Sequence, residues 1–196
     1  MEEDPDTQLM LRFKEGDQVA FRQLFDRHKA QIIHYCHRYC GRPAIAEELA
    51  QETFLRVYQA APRYRPEALF RTWLFKIATN VCLNELRRPD YRHHFESLDI
   101  AADRPDEAPR REIAAKGNDR PEKRFEQAEQ QQLVQQAMAQ LSGEQRAALL
   151  LRVEQDFSYQ EIGQQIGRSE NHVKTLIHRG RRKLTAALAG YFGGES

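Results

Sequence analysis

The sequence contains few cysteines and no recognisable export signal. Three cysteines, Cys36, Cys40 and Cys82, occur in 196 residues, and an odd number cannot pair completely. The first residues, MEEDPDTQLM, lack the basic start and apolar core of a signal peptide. We therefore expect a cytoplasmic protein with reduced thiols rather than a disulfide framework.

Features typical of membrane proteins and of common enzymes are also missing. No apolar run approaches the roughly 18 residues that a membrane-spanning helix needs, so we expect no membrane span. The phosphate-binding glycine loop, the zinc-protease helix and the nucleophile elbow do not occur. We expect no enzymatic activity, no catalytic residues and no cofactor.

Net charge is almost absent, because 30 Lys and Arg residues are balanced by 29 Asp and Glu residues. The chain therefore cannot bind nucleic acid through an overall positive charge. Binding would require cations that are concentrated on one part of the surface.

Strand-like alternation and repeats are not found, whereas helical periodicity covers both ends of the chain. The predicted fold class is all-α, with two small helical domains at 1–92 and 124–190. Between them, 93–123 is rich in proline and mixed charge and has too few large apolar residues for a core of its own. We predict a flexible linker there and a short tail at 191–196.

A helix-turn-helix is predicted in the stretch SYQEIGQQIGRSENHVKTLIHRGRRKL. Ser158 with Glu161 forms a capping-box pattern for the first helix, Gly167 ends that helix, and Ser169 caps the second. Helix, short glycine-containing turn and helix is the spacing of DNA-binding helix-turn-helix units.

The second of these helices has one apolar and one basic side. The side expected to pack inward carries Val173, Leu176, Ile177, Gly180 and Leu184. The candidate DNA-contacting residues on and beside the opposite face are Asn171, Lys174, Thr175, His178, Arg179 and Arg182, with Arg181 also flanking it. Such side chains read base edges and meet phosphates in a major groove. A solvated basic face is the alternative, and the capping and turn pattern favours DNA binding.

A second candidate nucleic-acid surface interleaves aromatic and basic residues in RYRPEALFRTWLFKIATNVCLNELRR. Its predicted structural stripe is Phe70, Leu74, Ile77 and Val81. Its candidate contacts are Lys76, Asn80, Asn84 and Arg87 on the helix, Trp73 at the border, and Arg63, Tyr64, Arg65 and Arg71 in or near the preceding loop. This set suits a strand with unstacked bases, although an aromatic stripe at helical spacing is also typical of an ordinary core.

The preceding helix, IAEELAQETFLRVYQA, has a predicted buried face of Ala46, Leu49, Ala50, Phe54 and Val57. Its predicted exposed face is Glu48, Gln51, Glu52, Leu55 and Gln59. A leucine ringed by acids and amides resembles a small protein-docking patch, although a single exposed leucine is also common on protein surfaces.

Together the three stretches resemble an extracytoplasmic-function (ECF) sigma factor, the smallest type in the sigma-70 family of bacterial RNA polymerase subunits. AEELAQETFLRVYQA resembles the region-two helix that binds polymerase, and FRTWLFKIATNVCLNELRR resembles the adjoining promoter-reading helix. The stretch from LSGEQRAALLL to RGRRKL resembles region four.

The resemblance implies a function for each part. The first domain would read and help melt the −10 element, and the second would read the −35 element as duplex. Implied partners are core RNA polymerase, promoter DNA and, as in many relatives, an anti-sigma factor. The main −35 contacts would be Lys174, Thr175, His178 and Arg179. Lys76, Asn80 and Asn84 would meet the −10 strand, with a flipped base near the loop Arg63–Leu69. Core polymerase would bind to Glu48, Gln51, Glu52 and Leu55. The acidic residues of the linker would mimic nucleic acid, and these are Asp99, Asp103, Asp106 and Glu107.

The chain departs from the family pattern at a few positions. Glu170, Asn171 and His172 stand where small residues are common, Leu176 where arginine is common, and Gly180 where alanine is usual, so the −35 sequence preference cannot be inferred by analogy. Gly143 stands where proline is frequent, which we expect to loosen the start of its helix.

Two alternatives remain open from the residues themselves. His34, Cys36, His37 and Cys40 in HYCHRYC include metal-ligand types and could serve zinc binding or redox sensing, but Ile32, Ile33, Cys36, Tyr39 and Cys40 also fit a buried helical stripe. An autonomous helix-turn-helix regulator with a sensing or dimerising first domain would bind a two-fold symmetric duplex site without polymerase.

Overall fold

The computed structural model describes residues 4–87 and 121–192, with side chains at 4–87 and 129–189. The linker acids Asp99, Asp103, Asp106 and Glu107 lie outside the described residues. All regular secondary structure in the described part is helical, which confirms the predicted fold class. In chain order the helices are α1 Pro5–Lys14, α2 Gln18–Cys40, α3 Pro43–Ala60, a 3-10 turn Ala61–Arg63, α4 Phe70–Leu86, α5 Pro121–Ala139, α6 Gly143–Val153, α7 Tyr159–Ile166 and α8 Glu170–Phe192.

The first region is a bundle of α1 to α4, and buried residues of all four helices form its core. Tyr35 of α2 packs edge-on against Phe75 of α4, with ring centroids 5.3 Å apart. The Tyr35 hydroxyl lies 2.9 Å from the hydroxyl of Thr79, so its polar end is satisfied within the core. The expected buried stripe of α2 is confirmed at Ile32, Cys36, Tyr39 and Cys40, while Ile33 is half-buried.

The second region contains α5 to α8, and its helix ends are set by local sequence. α6 and α7 both begin with complete capping boxes, formed by Ser142 with Gln145 and by Ser158 with Glu161. α7 ends at Gly167, which adopts the left-handed conformation with φ 68°. The predicted helix, turn and helix are therefore confirmed. Gly143 is the first residue of α6, and the Ser142 capping box completes this helix start.

The two regions pack against each other, which the sequence did not predict. Phe75 of α4 lies 5.6 Å from the ring of Phe157, which precedes α7. The Arg146 guanidinium donates to the carbonyl oxygen of Tyr39 at 2.6 Å, and Arg38 pairs with Glu154 at 2.8 Å. Buried residues of both regions therefore form one continuous core cluster.

Gly143 lies at a close approach between the regions. The Tyr39 hydroxyl donates to the Gly143 carbonyl oxygen at 3.2 Å. A Cβ atom at position 143 would lie 3.0 Å from that hydroxyl oxygen and 3.2 Å from methyl groups of Leu83 and Leu86. The absence of a side chain at this position lets α6 approach the first region this closely.

None of the described helices combines the length and the apolar character that crossing a bilayer requires.

Substituting Gly143→Asp should separate the regions without weakening α6. An acid is favourable in the first turn of a helix, but this one would enter the contact with Tyr39, Leu83 and Leu86. We expect a larger radius of gyration than wild type in small-angle X-ray scattering, with unchanged helical circular dichroism. Gln140→Asp, at an exposed neighbouring position, is the control. Equal radii for Gly143→Asp and wild type would contradict the prediction.

Candidate nucleic-acid interface

α8 presents the predicted basic face to solvent. Val173, Leu176, Ile177 and Gly180 are buried as predicted, and Leu184 is half-buried. A Cβ at Gly180 would lie 2.7 Å from a methyl group of Leu149, so glycine permits close packing of α8 on α6. All six predicted contact residues are exposed: Asn171, Lys174, Thr175, His178, Arg179 and Arg182.

The turn before α8 is held by charge and by a cap. Arg168 forms two hydrogen bonds with the Glu144 carboxylate, at 2.7 and 3.2 Å, which tie the turn to α6. Hydrogen bonding to Glu144 raises the pKa of Arg168, so this guanidinium stays charged. The Ser169 hydroxyl accepts from the His172 amide at 3.3 Å, as predicted for the cap of α8.

Glu170, the acid at the start of α8, is paired with Lys174 one turn later at 2.7 Å. Both side chains are half-exposed, so the pair contributes little stability. The Lys174 ammonium also lies 5.6 Å from the Tyr159 ring centroid. A duplex approaching this face must therefore compete with Glu170 for Lys174.

α4 carries the second predicted surface. Phe70, Leu74 and Val81 are buried and Ile77 is half-buried, as predicted for the structural stripe. Trp73 is half-buried at the border, where its ring centroid lies 4.9 Å from that of Tyr64. The four polar residues predicted on this helix are all exposed: Lys76, Asn80, Asn84 and Arg87.

The loop residues before α4 differ in their environments. Arg63 and Arg65 are exposed, but Tyr64 is 2% exposed and packs beneath the loop. Burial raises the pKa of the Tyr64 hydroxyl. The ring of Tyr64 is therefore not available to stack on a base in this arrangement.

Arg71 lies in the contact between the two regions. Its guanidinium donates to the Gln155 carbonyl oxygen and lies 4.6 Å from the Phe157 ring centroid. Gln31 donates to the Gln155 side-chain oxygen at 2.7 Å, so residues from both regions meet there. Sequence reasoning missed this role because Gln155 lies 84 positions further along the chain.

α3 presents the predicted docking patch. Its predicted buried face is buried at all five positions, and Leu55 is 51% exposed. Glu48, Gln51 and Gln59 are exposed, while Glu52 is half-buried and pairs with Arg56 at 2.7 Å. Tyr58, three residues after Leu55, is 46% exposed but was not predicted to be on the exposed face. Residues three apart are neighbours on a helix surface, so this spacing could have revealed it.

The cysteines lie in the core of the first region. Cys36, Cys40 and Cys82 are free and buried, and the sulfurs of Cys36 and Cys82 are 3.8 Å apart. Burial raises the pKa of Cys40 to about 11, which makes its thiol a poor nucleophile at neutral pH. Across 4–87 and 129–189, no group of three His, Cys, Asp or Glu residues is arranged to hold a metal ion.

Comparison with known proteins matches both regions. Family models for Sigma-70 region 2 and Sigma-70 region 4 match residues 24–91 and 131–184, respectively. The chain is 33% identical over 177 residues to the ECF RNA polymerase sigma factor SigW of Bacillus subtilis, covering 89% of this chain and 92% of SigW. This chain belongs to the ECF group of the sigma-70 family. The RNA polymerase sigma factor CarQ of Myxococcus xanthus is also 33% identical, with 91% of this chain and 95% of CarQ covered.

A solved structure agrees with this assignment. CnrH, determined in complex with the cytosolic domain of CnrY, is 25% identical with a TM-score of 0.67, covering 95% of this chain and 98% of CnrH. The chain is thus a sigma factor, a transcription initiation factor that directs core RNA polymerase to promoters. The autonomous regulator is not favoured.

Removing the acid beside Lys174 should strengthen DNA binding by this sigma factor. In Glu170→Gln, Lys174 loses its ion-pair partner and becomes free to meet a phosphate. We expect tighter binding of the polymerase complex to promoter DNA and a salt dependence steeper by about 0.9 in log–log slope, measured by fluorescence anisotropy. Asp26→Asn, an exposed acid on α2, is the control. An unchanged slope would contradict the prediction.

Proposed function

We propose that three separate surfaces perform the sigma function: the α3 patch binds core polymerase, α4 with its preceding loop reads the −10 strand, and α8 reads the −35 duplex. The observation that carries this assignment is the exposed polar face of α8, which is the second helix of the capped helix-turn-helix in region 4. We also propose that the protein works in the cytoplasm and catalyses no reaction by itself.

At the −35 element, α8 would enter the major groove with Asn171, Lys174, Thr175, His178, Arg179 and Arg182. Lysine, arginine and asparagine supply donors for base edges, and cations at the sides of the helix meet phosphates. Lys174 would exchange Glu170 for acceptor groups of the −35 duplex, so part of the pairing energy is conserved when DNA binds.

At the −10 element, Lys76, Asn80, Asn84 and Arg87 would follow the melted strand. The exposed Arg63 and Arg65 support a place for an unstacked base beside the loop. Trp73 would contribute its exposed edge, while the buried Tyr64 would support the loop from beneath. Arg71 would become available only when the two regions separate.

We propose that the packed arrangement is a state of the free chain and opens on polymerase. An offset from the −35 to the −10 element is about 25 base pairs, which at about 3.4 Å each is about 85 Å of duplex. The helices proposed to read them belong to regions in direct contact through Arg71 and Gln155. A chain as long as 88–120 reaches about 110–120 Å at most, so its covalent length permits the separation. Polymerase would hold both regions at the spacing of the two elements.

Regulation by an inhibitory protein is also proposed. CnrH was solved in complex with the cytosolic domain of CnrY. By that likeness, we propose that this sigma factor is held by an anti-sigma factor until a signal releases it.

Replacing a proposed −35 contact should weaken promoter selection without affecting polymerase binding. We expect Lys174→Ala or Arg179→Ala to reduce the advantage of an intact over a scrambled −35 element by about fivefold or more. The measurement is transcription in vitro from promoters recovered by wild type from fragmented genomic DNA. Loss of co-elution with core polymerase in either variant would contradict the assigned roles.

Changing the α3 patch should abolish polymerase association. Glu48→Arg with Leu55→Asp reverses a charge and removes the exposed apolar centre, but leaves the buried face of α3 unchanged. We expect no co-elution with core polymerase in size-exclusion chromatography and normal helical circular dichroism. Asp26→Arg with Val19→Asp makes the same kinds of change at exposed positions of α2 and should co-elute. Co-elution of the α3 variant would show that the docking surface lies elsewhere.

A further inference from the structure

We infer that α1 is a brace that fixes the loop before α4 and thereby positions the side chains that hold the −10 strand. α1 spans Pro5–Lys14 and lies outside the residues that the region 2 family model matches. The inference rests on the proposed −10 role of the loop.

The far end of the loop is fixed by the start of the chain. α4 begins at Phe70, and its N-cap residue Leu69 provides no side-chain cap. Instead, the Phe70 amide donates to the Asp4 carboxylate at 3.1 Å and lies 3.3 Å from the Thr7 hydroxyl oxygen. The cap of α4 therefore comes from residues more than 60 positions earlier in the chain.

The same Asp4 carboxylate also caps α1. It accepts from the amides of Asp6 at 3.4 Å and Thr7 at 3.3 Å, and from the Thr7 hydroxyl at 2.6 Å. Burial would raise the pKa of Asp4, but these bonds and the one from Phe70 outweigh it and lower the pKa. The carboxylate is therefore charged at neutral pH, where it stabilises the positive ends of two helices together.

The near end of the loop is held by the last residue of α1. The Lys14 ammonium donates to the Tyr64 carbonyl oxygen at 2.9 Å. A helix of ten residues is about 15 Å long, so α1 spans the loop and contacts it at both ends. Asp6 also lies 2.7 Å from His28, which fastens α1 to α2 beside the Phe70 ring.

Between these two anchors the loop is exposed. Residues 65–69 are all exposed, and the Glu67 amide donates to the Arg65 carbonyl oxygen within them. A segment with so little burial gains its conformation from its fixed ends. Asp4, Thr7 and Lys14 are therefore positioning residues, because they act on the promoter strand through the loop.

The test measures −10 discrimination by the full chain with core polymerase. Discrimination is expressed as a ratio of two transcription rates. The numerator is the rate from a promoter that the wild-type protein selects, and the denominator is the rate from the same promoter with one −10 base changed. We expect Asp4→Ala, Thr7→Val and Lys14→Met each to lower this ratio by about tenfold, because even a small displacement of the contacting side chains is costly. Asp4→Asn retains an acceptor oxygen for Phe70 and should keep most of the ratio.

Asp17→Ala is the matched control. Asp17 caps α2 through the amides of Val19 and Ala20 and pairs with Arg12 of α1, so its loss removes a similar cap but leaves the bonds of Asp4, Thr7 and Lys14 to Phe70 and Tyr64 in place. This variant should keep the wild-type ratio. Equal loss in Asp17→Ala, or an unchanged ratio in the three brace variants while polymerase co-elution is normal, would overturn the inference.

The combined variant Arg63→Ala with Arg65→Ala separates failure of the brace from failure of the proposed function. If this loop variant lowers the ratio and the brace variants do not, only the brace is wrong. If the loop variant also leaves the ratio unchanged, the loop does not read the −10 element, and both proposals are overturned.

Discussion

The structure depends on the burial of Phe75, the aromatic residue that joins the two regions. Its ring meets Tyr35 of α2 on one side and Phe157 of the second region on the other, at 5.3 and 5.6 Å, and it is fully buried. Edge-to-face aromatic pairs add stability beyond the area they bury. Because α4 is anchored by this side of the helix, its polar residues Lys76 and Asn80 remain at the surface.

Local sequence predicted the helical faces well and the contacts between distant residues poorly. The buried and exposed sides of α3, α4 and α8 follow helical periodicity, which depends on neighbouring residues alone. The burial of Tyr64, the engagement of Arg71 by Gln155 and the tight approach at Gly143 depend on residues far away in the chain. No spacing rule connects Asp4 to Phe70, so the cap of α4 could be found only in the fold.

The contact between the regions makes opening an exchange of partners. In the proposed opening, Arg71 would give up the Gln155 carbonyl and the Phe157 ring, and a phosphate would replace them at the promoter. The apolar surface around Phe75 has no comparable replacement in DNA. Because exposing apolar area is unfavourable, polymerase binding would have to offset that part of the cost of the proposed opening.

The same exchange of partners explains how a chain with almost no net charge can act on promoter DNA. Lys174 has Glu170 as a partner and Arg71 has Gln155, so in the free chain neither cation is fully available to phosphates. Non-specific affinity grows with the number of phosphates neutralised, and it would hold a free sigma factor on bulk DNA. Internal partners reduce that affinity and leave each reading surface intact. In the proposed open state, polymerase would place both surfaces on one promoter at once, and specific binding would depend on it.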